Sequence, residues 1–445
     1  MINHYYRQLI YKWITIENSV TAFCFLFFSL VFTVQHSANI ILTCLLILGV
    51  VKLFLDRRKL SLSKIDPIPL LFLGVFSALP LVIMLQVLFF PQVAIKQLDA
   101  PLKFLACGLL LFLFKIIKPR KLVLSSYGCL IGAFGMAVWS WLSTHYSAYA
   151  FTPLLDRGSN NFINPIEFGC FSLLFGCISL ILPVSITHSA GLKRLLFLLK
   201  ILGFISGITA AIYSGSRAAF AALPLLLWLL FIHKRSRPSL LVTLGGLCLM
   251  MFIIAGLLTQ TRLLNRIFEG IHDLNVYSTD RNTSIGARFQ MWQIAWSAFI
   301  EQPILGIGRG SYGDLLLCGK YQQAIAVFLF GFRHAHNEYL NAAAEMGILG
   351  LLATLLVLLI PGLFFYKHRH TTAATTRFAA TAGLMIVIGH ATFCLFDALF
   401  LISCQTTFYS LSVVILIAVI VNQQANPAQN QRKSVTICSF PKLSS

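Results

Sequence analysis

Acidic residues are scarce in this chain: 14 Asp and Glu in 445 positions, against 34 Lys and Arg. Charge of either sign is scarce as well, at 11% of the residues, while 58% are hydrophobic and the mean hydropathy is +0.83. A soluble globular domain is about a quarter charged, so this composition excludes one and implies a polytopic membrane protein. Cysteine offers no framework either. Of 11 Cys, most sit inside apolar runs, which leaves at most a Cys318–Cys404 pair at an outer helix end. The N-terminal "MINHYYRQLIYKWITIENSV" lacks a short apolar region with a small-residue cleavage site, so the first helix is expected to act as an uncleaved signal. No period of 20 to 50 residues repeats, and the two halves show no matched Gly/Pro-broken helices, which weighs against a carrier.

What the chain does have is apolar runs. A hydrocarbon core about 30 Å thick takes roughly 20 helical residues, because each backbone N–H and C=O must be satisfied within the helix. Runs of that size predict helices over 18–34, 39–55, 67–89, 101–117, 121–142, 165–187, 194–213, 217–232, 238–258, 346–366, 377–400 and 405–421. The expected fold is an all-α polytopic bundle of about twelve transmembrane helices with one large outer loop. With the N-terminus in the cytoplasm, 23 Lys and Arg fall in cytoplasmic connections and four, Lys96, Lys103, Arg157 and Arg217, in short outer ones. The positive-inside rule then places both termini in the cytoplasm and the long segment outside. Four regions result: a bundle of about nine helices (1–258), an outer loop with helical segments (259–345), three C-terminal helices (346–421) and a cytoplasmic tail (422–445). The net charge of +20 is thereby accounted for by membrane orientation, and no nucleic acid partner is implied.

The outer loop holds half of the acidic residues, which makes it the place for aqueous chemistry. Within it "TSIGARFQMWQIAWSAFIEQP" reads as a helix with Ser284 as N-cap, an aromatic stripe at Phe289, Trp292, Trp296 and Phe299, and a stop at Pro303. The stripe is read as packing against the bundle or the lipid interface. "GIGRGSYG" matches G-x-G-x-x-G, but a dinucleotide site needs a preceding strand and a βαβ unit. A flexible turn is expected instead.

Three residues carry candidate chemistry. Arg217, in "YSGSRAAFAALP", enters a helix from a very short outer connection, so it must find an anion or snorkel to the headgroups. Arg288 stands in the first turn of the aromatic helix. Two arginines facing one cavity can grip a diphosphate through bidentate contacts, with backbone donors after Gly215 and Ser216 assisting. His336, in "RHAHNEYL", is followed by Asn337 and, after nine residues, by Gly347 and Gly350. An imidazole at the membrane boundary can take a proton from an attacking hydroxyl, while Gly347 and Gly350 would let a neighbouring helix or lipid come close. A metal reading of "HAHNE" is less favoured, because His334 and His336 are expected to diverge and no third ligand follows at an obvious spacing. There is no nucleophile elbow, so a covalent hydrolase is hard to build.

These residues resemble a family, the bacterial O-antigen ligases, with their relatives the O-antigen polymerases and the protein O-oligosaccharyltransferases. The likeness covers most of the chain as architecture and is specific over residues 205–350, in "SGSRAAFAALP", "RFQMWQIAWSAFIEQPILGIGRGSYGD" and "HAHNEYLNAAAEMGILGLL". One position departs: the family places Leu four residues after the helical arginine, where this chain has Ala221, with Leu223 two later. The resemblance implies a GT-C-like fold in the bacterial inner membrane with its active site facing the periplasm. It implies metal-independent, inverting transfer of a glycan from undecaprenyl diphosphate to a hydroxyl of lipid A-core, without a cofactor. Carried over residue by residue, His336 would be the base and Arg217 and Arg288 would hold the diphosphate, with Asn337 and His334 among the substrate-binding residues. The polymerase, the protein ligase and a non-enzymatic lipid or solute transporter remain as alternatives.

Overall fold

The computed structural model describes residues 15–56, 66–115, 117–151, 157–184, 189–233, 261–277, 282–317 and 331–425. The expected helix over 238–258, Cys318 and the tail beyond 425 lie outside them. The described residues are helical: α1 (Ile16–Leu30), α2 (Ser37–Asp56), α3 (Pro67–Phe89), α4 (Asp99–Phe114), α5 (Pro119–Ser125), α6 (Gly128–His145), α7 (Pro165–Ile181), α8 (Ala190–Ser214), α9 (Arg217–His233), α10 (Thr261–Asn275), α11 (Ser284–Glu301), α12 (Tyr312–Leu316), α13 (Glu338–His368), α14 (Ala374–Phe393) and α15 (Ser403–Ala425). Among the described residues seven helical stretches are long and apolar enough to cross a membrane, and α1, α7 and α9 are shorter apolar helices. The chain is a polytopic helical membrane protein.

The centre is α15. It is apolar all round and buried over nearly its whole length, as a helix surrounded by others must be. It packs against α2, α4, α5 and α14. Two of its buried polar side chains tie it to its neighbours: Tyr409 donates to the Val357 carbonyl at 2.6 Å, and Asn422 donates to the carbonyls of Phe114 and Ile117, both at 2.8 Å. The outer helices instead turn large apolar side chains such as Leu88, Phe54 and Leu363 outward, the arrangement a lipid environment favours. The amphipathic α10 likewise leaves Phe268, Ile271 and Leu274 exposed.

α11 begins one residue earlier than a Ser284 cap implies. Thr283 is the cap, its hydroxyl accepting from Gly286 N. Its buried face consists of Gly286, Ala287, Gln290, Met291, Ile294, Ala295 and Ala298, so small residues make the close packing against α13. The aromatic stripe flanks that face, and Trp296 is 52% exposed.

"GIGRGSYG" is a built connection rather than a flexible turn. α13 is broken at Gly347 (φ 62°, ψ −159°), and residues 303–309 fill the break. Ile307 N donates to Ala344 O and Gly308 N to Glu345 O, both at 3.0 Å, and Ile348 N donates to Pro303 O at 2.8 Å. Backbone groups freed by the break are thus re-satisfied, as buried non-helical backbone in a membrane protein requires. Gln86 locks the insertion from α3, donating to Leu305 O and Glu345 O while its carbonyl accepts from Arg309 N. What approaches Gly347 is therefore this segment, not a lipid or a helix: a Cβ there would stand 2.3 Å from Ile304 O.

Candidate active site

Arg217 opens α9 immediately after a tight turn. Gly215 caps α8 in the left-handed conformation (φ 60°), which glycine adopts without penalty. Ser216 ties the turn to α7 by donating to Ile166 O at 2.8 Å. The loop before α7 is stitched to the same turn, with Gly158 N donating to Tyr213 O at 2.8 Å and Arg157 Nε to Ser214 O at 2.7 Å. Arg288 arrives from the first turn of α11. The result is a pocket of about 80 Å³ lined by Arg157, Arg217 and Arg288, with Ile166, Gly215, Ala218 and Ser284. Arg217 and Arg288 are brought together as the sequence implies. Arg157 is a third cation that sequence reasoning counted only as a topological marker. Burial lowers the Arg288 guanidinium from its ordinary value, Asp397 opposes that shift and Arg217 adds to it. Guanidinium nevertheless keeps its charge.

His336 stands at φ 48°. With His36 (φ 63°) it is one of two non-glycine residues at positive φ among the described residues, and such backbone is concentrated at functional positions. The turn also changes the direction of the side chains. The expectation that His334 and His336 diverge is corrected, since their ring centroids lie 4.3 Å apart. His336 N donates to His334 Nδ1 at 3.3 Å, so that nitrogen is the acceptor. Burial and the neighbouring His336 push the His334 imidazole down to about 4, so this ring is neutral. Its 3.7 Å approach to Asp397 is accordingly proximity, not an ion pair.

Asp397 is the residue that the sequence reading missed. His336 Nδ1 lies 3.1 Å from its Oδ1, and Ala398 N donates to the same oxygen at 2.9 Å. Burial by itself raises this carboxyl, but the hydrogen bond from His336, with that from Ala398 N, helps hold the group below the usual carboxylate range. Asp397 is ionised and can only accept, so the proton of the contact belongs on Nδ1. The carboxylate owes its place to the start of α13. Glu338 N donates to Cys394 O at 2.8 Å, Phe400 N donates to Glu338 at 2.9 Å, and Arg309 Nη2 donates to Phe400 O at 3.2 Å.

Asn337 is tied into the loop. Its carbonyl oxygen caps α13 by accepting from Leu340 N at 3.1 Å, and its amide donates to Leu395 O at 3.3 Å, so it holds the loop. A further correction concerns metals. The ligand atoms of His334, His336 and Asp397 all lie within 4.8 Å of one another, so a third candidate ligand exists after all, and two imidazoles with one carboxylate make a set that divalent ions accept. Against that fit, His336 Nδ1 and Asp397 Oδ1 are already paired with each other at 3.1 Å, and the same oxygen accepts from Ala398 N.

His334, His336 and Asp397 open into a cavity of about 480 Å³ that reaches to α1, α2, α7 and α15. It and the arginine pocket meet the two sides of the same turn of α7: Ile166 lines the one and Glu167 the other. The histidines and Asp397 thus lie on one side of that turn and the three arginines on the other.

Residues 202–355 match the family model described as O-antigen ligase. An O-antigen ligase of Escherichia coli K12 is 31% identical over 108 residues, 24% of this chain and 26% of that protein. An uncharacterised protein of Haemophilus influenzae is 26% identical over 231 residues, 51% of this chain and 57% of its own length. The matched parts thus span less than two thirds of either relative. The matched region contains Arg217, Arg288, His334 and His336, and over it the chain is similar to the O-antigen ligases.

Proposed function

We propose that the protein is an O-antigen ligase. It transfers an O-antigen polysaccharide from undecaprenyl diphosphate onto a hydroxyl of lipid A-core, as a metal-independent, inverting glycosyltransferase with Arg217, Arg288 and His336 as its catalytic residues. It works at the periplasmic face of the bacterial inner membrane, within a bundle of twelve helices whose two termini are cytoplasmic; the 23 to four asymmetry of Lys and Arg supports that orientation. The observation that carries the reading is an imidazole oriented by a buried carboxylate, in a cavity that adjoins a three-arginine pocket across one turn of α7.

In this reading the acceptor hydroxyl attacks the anomeric carbon as the bond to the diphosphate oxygen breaks. The proton passes to His336 Nε2. The electron pair of the broken bond leaves with the diphosphate, where Arg157, Arg217 and Arg288 stabilise it. Asp397 keeps the Nδ1 proton in place and stabilises the imidazolium that forms. Attack from the face opposite the diphosphate inverts the anomeric centre.

Deleting the gene and running the lipopolysaccharide on a gel tests the assignment. A ligase mutant loses the ladder and accumulates lipid-linked polymer. A single repeat unit left on the core would assign a polymerase instead, and an unchanged ladder would point to a protein ligase or a transporter.

A further inference from the structure

The cavity beside His336 has a chemistry distinct from that of the arginine pocket. Its walls include Gln35, Asn39, Phe162, Glu167, Ser403 and Gln405, and among the described residues no Lys or Arg lines it. Its acidic groups are Glu167 and Asp397, both buried. A diphosphate finds no counter-charge among these described residues and is drawn to the three arginines across the α7 turn. A neutral polyol is suited to it, because carboxylates and amides supply the mixture of acceptors and donors that sugar hydroxyls need.

Two further observations mark the cavity as a binding site. Gln405 donates its amide to the Glu167 carboxylate, while its Oε1, on a residue only 2% exposed, has no hydrogen-bond partner. A buried acceptor left unpaired calls for an explanation, and a hydroxyl of a bound molecule supplies one. The two histidines at positive φ, His36 and His336, also both line this cavity.

We propose that this cavity is the acceptor subsite, in which Glu167 and Gln405 hold hydroxyls of the acceptor sugar beside the one that His336 deprotonates. The proposal rests on the transferase reading above. Glu167 and Gln405 bind; they do not transfer the proton.

The test uses purified full-length protein in nanodiscs, with undecaprenyl diphosphate-linked O-antigen and lipid A-core varied separately. Glu167→Gln and Gln405→Met should each raise the acceptor KM about ten-fold, the worth of one hydrogen bond to a charged group, and leave the donor KM within about two-fold. Should either variant aggregate on size exclusion, Asn39→Ala at the half-exposed rim carries the test, with a rise of about three-fold expected. An unchanged acceptor KM in every folded variant, or an equal rise in donor KM, overturns the subsite. A His336→Ala control separates the two levels. If that control transfers normally, the transferase reading fails and the subsite with it; if it is inert while the acceptor KM stays unchanged in the variants, the subsite alone fails.

Discussion

His336 Nδ1 lies 3.1 Å from Oδ1 of Asp397, a residue 61 positions further along the chain and 3% exposed. The contact fixes the tautomer of the base and supplies the charge that offsets its protonated form. Asp397→Asn retains the size and most of the packing but removes that charge and can present an amide N–H to Nδ1. The expected loss is about 10²–10⁴ in kcat, the range that a positioned general base contributes, with KM for either substrate little changed. Steady-state kinetics on the purified variant check this, and a kcat within three-fold of wild type would contradict it.

The arginine pocket makes a graded prediction. Arg217→Ala and Arg288→Ala should each lower the transfer rate by about 10²–10³, by analogy with the loss of a donor aimed at developing negative charge. Arg157→Ala should fall in the same direction by less, because Arg157 Nε is committed to Ser214 O. Lys at any of the three should rescue in part, since it keeps the charge and loses the fork. Normal ligation by stable Arg217→Ala protein would mean that this side chain only snorkels.

How much of this was legible beforehand varied with the kind of residue. Arg217, Arg288 and His336 were legible because each is a charged or titratable group in an apolar context, within a motif of fixed spacing. Asp397 was not, because it sits at the end of a run that reads as membrane helix and meets its histidine only through tertiary packing. Arg157 looked like one more outer charge until the α8–α9 turn drew it in. The convergence of His334 and His336 depends on a backbone angle that composition does not encode. Gly347 was noticed for its spacing, but its use, a helix break filled by another segment, involves residues some forty positions away. The apolar helices themselves were the most legible feature, since hydropathy over about 20 residues is a local property.

Metal independence is open to direct removal. Chelator-treated protein, assayed with lipid-linked donor and lipid A-core acceptor, should keep its full rate, since His336 Nδ1 and Asp397 are already paired with each other. Loss of activity restored by one divalent ion would make His334, His336 and Asp397 a metal site.

Gly347 tests the inserted segment. Its φ of 62° alone costs an alanine roughly 1–3 kcal/mol, and the added Cβ would stand 2.3 Å from the Ile304 carbonyl oxygen. Gly347→Ala should lower the thermal unfolding midpoint in detergent and reduce transfer by the folded fraction. Gly331→Ala, where a Cβ meets nothing within 4 Å, serves as the neutral comparison. Equal midpoints for the two variants would show that the break does not need glycine.

The central claim is that His336 acts in the chemical step and not in holding the donor. The most direct measurement takes purified His336→Ala protein and records binding of undecaprenyl diphosphate-linked glycan and its transfer to lipid A-core as separate quantities. The account predicts insertion and donor affinity close to wild type, carried by Arg157, Arg217 and Arg288, with transfer reduced by about 10²–10⁴. Transfer near the wild-type rate in a folded variant that still binds donor would contradict it.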